Sequence, residues 1–180
     1  MASLSNQPSN PNALVQHSAR LVLKRAPNLS FFAQDVEIPG MTGGVANFQT
    51  ELDVVPWPGE TFQREDFQIS FKVDEDLKNY LEVHNWLLGI YYPDSHSQYA
   101  ALSKISRSDK MLGTGVFSDM TAIIYDSARR PKFEVRFQDA FPRAMSGLRF
   151  TTRNDTVEPL DVTVAFRYRH FTIHSTADGT

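Results

Sequence analysis

Residues 67–89 constrain this chain more than any other stretch. Phe67, Ile69, Phe71 and Val73 alternate with Gln68, Ser70 and Lys72, the pattern of a strand with one buried face. At Asp74 the period changes. Asp74, Glu75 and Asp76 place carboxylates where a helix begins, with Asp74 the expected N-cap and its neighbours at the positive end of the helix dipole. Leu77, Leu81, His84 and Leu88 then recur at helical spacing, and Tyr80, Val83 and Leu87 widen the apolar stripe. Gly89 is the expected helix end. A strand that runs straight into an amphipathic helix needs a sheet for the helix to lie on, and the rest of the chain predicts that sheet.

Residues 20–25 and 31–38 predict two strands joined by a turn at Pro27-Asn28-Leu29, the second ended by Pro39-Gly40. Residues 41–45 read as a loop around Gly43-Gly44, with no phosphate-loop pattern after the glycines. Residues 48–55 predict a long strand whose polar side carries Gln49, Glu51 and Asp53, followed by a rigid turn at Pro56-Trp57-Pro58-Gly59. A second short helix is expected over residues 95–103. Residues 118–125 and 132–140 predict a hairpin around a polar connection at 126–131, with Pro142 breaking its second strand. A short strand is expected over 148–151 and one long strand over 160–173, where Val162, Val164, Phe166 and Tyr168 share a face. Residues 1–18 read as a flexible Ser/Asn/Pro-rich arm, 19–173 as one domain and 174–180 as a polar tail. The sum is a mainly β (α+β) domain of about seven strands, an antiparallel β-sandwich or partly closed barrel with one main flanking α-helix.

Composition narrows the function. Hydrophobic residues make up 41% of the 180 and include 13 Phe, enough for a substantial core. The formal net charge of -3 argues against a coat for nucleic acid, which needs a basic surface. There is no Cys, so disulfides, thiolate catalysis and Cys-based zinc sites are excluded. No apolar run approaches the roughly 20 residues that span a bilayer, and the Met1-Ala-Ser-Leu-Ser-Asn start lacks a secretory pattern. The expectation is a soluble chain made in the cytoplasm.

Catalytic chemistry finds little support. Helix capping accounts for the acidic triplet at 74–76 better than a metal site does. His170 and His174 fall on one strand face about 13 Å apart, too far for one ion. No Gly-x-Ser-x-Gly elbow occurs. Neither an enzyme nor a cofactor is expected. Arg129 and Arg130, at a hairpin tip, suit an exposed turn or a contact with a neighbouring subunit or phosphate. Trp86 is most simply a core residue, whereas Trp57 beside Pro58 at a turn tip is more easily explained by burial in another subunit.

The order of segments resembles the tail-tube family of contractile-tailed phages. Residues 27–40, ending in Pro39-Gly40, are similar to that family's early strand, and residues 67–76 to its strand leading into an acidic helix start. Leu81-Glu-Val-His-Asn-Trp86 is similar to its Trp-containing helix, and residues 137–148 with 162–168 to its closing strands. The resemblance spans about residues 25–173. It implies a structural virion protein of the tail, made in the host cytoplasm. Six copies would form a ring whose sheets join into one lumen barrel, and rings would stack into a conduit for double-stranded DNA. Sheath and baseplate proteins are the implied partners, and a specialised ring at the baseplate or neck end is an alternative position.

A conduit should not grip its cargo, because each cation on a phosphate adds binding. Gln49, Glu51 and Asp53 are the candidate lumen wall, and Trp57, Pro58, Arg129 and Arg130 the candidate contacts between subunits or rings. The competing reading is a monomeric ligand- or carbohydrate-binding β-sandwich with Trp57, Tyr91 and Tyr92 as a stacking platform. Sixfold oligomers would favour the first reading and a sugar-binding monomer the second.

Overall fold

The computed structural model describes residues 14, 19–91, 96–97, 116–151 and 159–176. Nine strands and two helices lie among them, in the order β1 (Ala19–Leu23), α1 (Pro27–Phe32), β2 (Ala33–Glu37), β3 (Met41–Gln49), β4 (Val54–Arg64), β5 (Phe67–Lys72), α2 (Lys78–Tyr91), β6 (Ser118–Tyr125), β7 (Pro131–Met145), β8 (Asp161–Arg167) and β9 (His170–Ser175).

The period-2 segments form the centre. In β5, Phe67, Ile69 and Phe71 are fully buried. They stand opposite Phe166, Val164 and Val162 of antiparallel β8, so each cross-strand pair adds one more layer to the same core face. On the other face Ser70 and Thr163 join hydroxyls at 3.0 Å. The main sheet runs β1–β6–β7–β8–β5–β2 with β9 also on β7, and every pairing is antiparallel. β1 and β2, at the two ends, approach one another without pairing, which leaves the barrel partly open.

β7 joins the two halves. Its residues as far as Ala140 pair with β6, and those before Asp139 also pair with β9. From Phe141 to Met145 it pairs with β8 instead, with a register shift between Pro142 and Ala144. Asp139 has a φ of 52°, the left-handed conformation that lets an edge turn sharply. Pro142 therefore does not break the strand as expected; it sits at the bulge, where a missing N–H costs no ladder bond. The long strand expected over 160–173 is split at Tyr168-Arg169 into β8 and β9, which follow β7 from one half to the other.

Several other expectations change. Pro27-Asn28-Leu29 is the first half of α1, with Pro27 in its first turn and Leu29 buried, a position that suits proline's fixed φ. The expected strand start at Phe31 therefore moves to Ala33. Gly43-Gly44 lies inside β3 rather than in a loop, and residues 148–151 form no strand. Of the helix expected over 95–103, only His96 and Ser97 are among the described residues, and both are helical. The N-terminal arm, save Leu14, and residues 177–180 of the tail lie outside them.

The helix is present but rotated from the expected stripe. Its buried residues are Asn79, Val83, Trp86 and Gly89, whereas Leu77 and Leu81 are exposed. Asp74 is not its N-cap. Leu77, with a φ of 58°, closes a turn on the Asp74 carbonyl, and the helix starts at Lys78. Buried Asn79 secures the junction: its Nδ2 donates to the Lys72 carbonyl at 2.7 Å, and its Oδ1 accepts from the Asp74 and Tyr80 amides at 3.2 and 2.8 Å. Gly89 is an interior helix residue rather than a stop. Trp86 is core, as expected. Its ring lies 5.9 Å from that of Phe166, its Nε1 donates to the Val116 carbonyl at 2.9 Å, and the Arg25 guanidinium covers it at 4.9 Å.

Candidate assembly interface

β3 and β4 pair only with each other, outside the main sheet. The sequence reading placed the turn at Pro56-Trp57-Pro58-Gly59; the structure places it between Thr50 and Asp53, and β4 runs through both prolines. No Asn-Gly or Asp-Gly pair marks this turn. Side chains close it instead: Thr50 Oγ1 accepts from the Asp53 amide at 3.0 Å, the Thr50 amide donates to the Asp53 carbonyl at 2.8 Å, and Asp53 Oδ1 accepts from the Val54 amide at 2.7 Å.

The register sorts the side chains. Ala46 stands opposite Trp57 and Phe48 opposite Val55, so these four share one face. Val45, Asn47 and Gln49, opposite Pro58, Pro56 and Val54, share the other. The first face is apolar and bare, with Phe48 58% and Trp57 61% exposed, and Leu52 at the tip is 99% exposed. Midway, Gly44 faces a three-residue excursion of β4, because the register passes from Gly43↔Phe62 to Val45↔Pro58. A Cβ on Gly59 would lie 2.9 Å from the Gly44 backbone, so the strands close up there only because both residues lack one.

The root of the hairpin is clamped to the body. The Glu65 amide donates to the Gly40 carbonyl at 3.0 Å. Arg167 donates to the Arg64 carbonyl at 3.0 Å and to Asp66 Oδ1 at 2.8 Å, and Arg143 pairs with Asp66 Oδ2. Tyr168 Oη donates to the Glu65 carbonyl at 3.1 Å. Partial burial pushes the Asp66 carboxyl up, but the two guanidinium groups outweigh it and hold the group below the ordinary carboxylate range. Burial pushes the Tyr168 phenol up. Glu37, Pro39, Gln68 and these charged groups line a cavity of about 390 Å³.

The expected wall residues thus meet on one hairpin but not on one strand face. Gln49 ends β3, Glu51 is in the turn, and Asp53 closes it. Trp57 and Pro58 lie within β4 on opposite faces. Arg129 and Arg130 are elsewhere, in the β6–β7 turn, where Asp126 accepts from the Ala128 and Arg130 amides and pairs with the Arg130 side chain at 3.2 Å. Tyr91 ends α2, and Tyr92 lies outside the described residues. Among the described residues no group of His, Asp or Glu could hold a metal ion, and no helix is long and apolar enough to cross a membrane. The reading from sequence missed the Phe48–Val55 face and the Asp66 clamp. The alternation of Phe48 with Gln49 was visible, but its partner strand was hidden by the prolines.

A hairpin with a bare apolar face can bury area against another surface and pair strand edges. The chain belongs to the phage tail tube protein family, whose profile matches residues 7–174. Its role is structural, as a tail-tube protein. Its fold is similar to a chain of the anti-feeding prophage cap, the tube-terminating cap (TM-score 0.55, 11% identity, 98% of this chain and 100% of that one). It is also similar to a chain of the anti-feeding prophage baseplate (TM-score 0.54, 10% identity, 93% and 97%). A third likeness is to a chain of the PVC extracellular contractile injection system sheath–tube complex in the extended state (TM-score 0.53, 9% identity, 92% and 94%). No curated protein matches the chain.

Proposed function

We propose that copies of this chain form sixfold rings that stack into the inner tube of a tail and enclose a passage for double-stranded DNA, with residues 19–173 as the ring-forming domain. Sheath and baseplate proteins are its neighbours in this reading. The observation that carries it is the apolar face of the β3–β4 hairpin, where Phe48, Val55 and Trp57 are each more than 40% exposed. A lone chain gains nothing from holding these side chains in water. Burying them between copies returns roughly 25 cal/mol for each Å² of apolar surface covered, and a stable contact takes about 800 Å² per partner. In the assembly Gln49, Glu51 and Asp53 face the passage, where a wall free of cations does not hold phosphate. Trp57, Pro58, Arg129 and Arg130 lie at contacts between subunits or rings.

Electron microscopy of the purified protein, at low and at high concentration, tests the reading. Sixfold rings or tubes are the expected result. A chain that stays monomeric at its highest soluble concentration overturns it.

A further inference from the structure

The hairpin has two outer edges, and they are not equivalent. The Thr50–Asp53 backbone hydrogen bond makes that pair a bonded one. Antiparallel pairs alternate between bonded and non-bonded. Phe48–Val55 and Ala46–Trp57 are therefore bonded pairs, and Gln49–Val54, Asn47–Pro56 and Val45–Pro58 are not. Residues of non-bonded pairs turn their N–H and C=O groups outward. On the β4 side those positions are Val54, Pro56 and Pro58. Two lack an N–H altogether, and the Val54 amide is taken by Asp53 Oδ1 at 2.7 Å. The distal β4 edge offers carbonyls and no free donor. On the β3 side the same positions are Val45, Asn47 and Gln49, and the outward amides and carbonyls of Asn47 and Gln49 are available for a ladder.

We infer that the hairpin adds a strand from a second copy along β3 alone, and that the Pro56/Pro58 edge is blocked so that assembly cannot proceed from both sides. This rests on the self-assembly reading above and adds the edge and its partner. Among the described residues β1, β2 and β9 each have an unpaired edge in a single copy, as has the Phe141–Met145 half of β7, whose one cation, Arg143, is held by Asp66. Residues 41–63 carry Glu51, Asp53 and Glu60 and no Lys or Arg. β2 carries Asp35 and Glu37, and β9 has no carboxylate or permanent cation. β1 carries Arg20, followed by Lys24. Charge complementarity selects the β1 edge of the second copy, since like charges across an interface suppress pairing. A free edge meeting a different free edge makes a head-to-tail contact, the kind that closes into a ring.

The test uses Asn47→Pro. Pro56 already occupies the partner position in the same non-bonded pair, so the internal ladder keeps all its bonds and only the outward donor is lost. Rings are expected to need about tenfold more protein or to disappear, while Asn47→Thr, which keeps the amide, assembles as wild type does. The double variant Pro56→Thr/Pro58→Thr opens the second edge and is expected to give irregular aggregates beside rings. Residue-resolved hydrogen exchange on the wild-type chain provides a check independent of any variant: the Asn47 and Gln49 amides should slow on passing from monomer to ring. For the partner, the chain's lack of Cys permits cross-linking with a short bismaleimide. Asn47→Cys mixed with Arg20→Cys should link, and Asn47→Cys mixed with Asp35→Cys should not. Asn47→Pro rings at the wild-type concentration, or unprotected Asn47 and Gln49 amides in rings, overturn the edge assignment. Clean rings alone from the double proline variant overturn the block, and a link to Asp35→Cys instead of Arg20→Cys overturns the partner. A wild-type chain that forms no rings overturns the self-assembly reading itself, a result distinct from all of these.

Discussion

Replacing Asn79 with Ala removes one side chain and strands two backbone groups. Asn79 is fully buried. Its Nδ2 is bonded to the Lys72 carbonyl at the end of β5, and its Oδ1 to the Asp74 amide at the start of the connection to α2. Both groups are partly buried, so each costs at most about 1–3 kcal/mol when left without a partner, and the Tyr80 amide, which lies in the first turn of the helix, can turn to water instead. Asn79→Ala is therefore expected to lose about 2–4 kcal/mol of unfolding free energy, read as a lower midpoint in urea with an unchanged slope. Asn79→Asp separates the two halves of the amide. It keeps the acceptor but sets a carboxylate against the Lys72 carbonyl oxygen, with no donor between them. Asn79→Asp is therefore expected to lose the Lys72 bond at neutral pH while keeping those from the Asp74 and Tyr80 amides. A loss under about 0.5 kcal/mol in Asn79→Ala, the level of an ordinary surface change, would refute the claim that this side chain joins sheet to helix. So would an Asn79→Asp variant as stable as wild type at neutral pH.

Trp86→Ala should cost about 3–5 kcal/mol, and Trp86→Phe less, because the second keeps ring packing and loses the bond to the Val116 carbonyl; urea titration of both checks the order. Asp66 sits below the ordinary carboxylate range, so its contribution is present at neutral pH and is lost as pH falls below about 4, towards and through the folded value. Asp66→Asn should abolish that part of the acid loss, seen as a stability difference from wild type that narrows with acid. Trp57→Ala removes an exposed ring and should leave monomer stability within about 0.5 kcal/mol while shortening tubes under the electron microscope; unchanged tube length rejects Trp57 as a contact.

The parts of the fold that a single chain completes alone were legible. Phe67, Ile69 and Phe71, and Val162, Val164 and Phe166, each fill one side of their strands, and all six are buried. Periodicity reports burial, so it found β5, β8 and Trp86. It misplaced the helix face because Leu77 and Leu81 are exposed while a polar residue, Asn79, takes the core position. It closed β7 at Pro142 and put the hairpin turn at Pro56-Trp57-Pro58-Gly59, because a proline in a strand is excluded only where its N–H would be needed. At a bulge and on an outward edge it is not needed, and sequence gives no account of which edge is outward.

The misreading of the hairpin and the reading of Trp57 as a subunit contact have one physical origin. β3 and β4 have no core face in the isolated chain, so the contrast between buried and solvated sides that marks β5 is missing. Their apolar residues are spread over both faces, with Val45 and Val54 opposite the Phe48–Val55–Trp57 side. That distribution is unfavourable for a hairpin in water and consistent with one covered on both sides by other copies. The prolines, which looked like punctuation, carry the other half of the same logic. A strand pair that must meet a neighbour on one edge needs its second edge silenced, and Pro56, Pro58 and the Asp53 bond to the Val54 amide silence it.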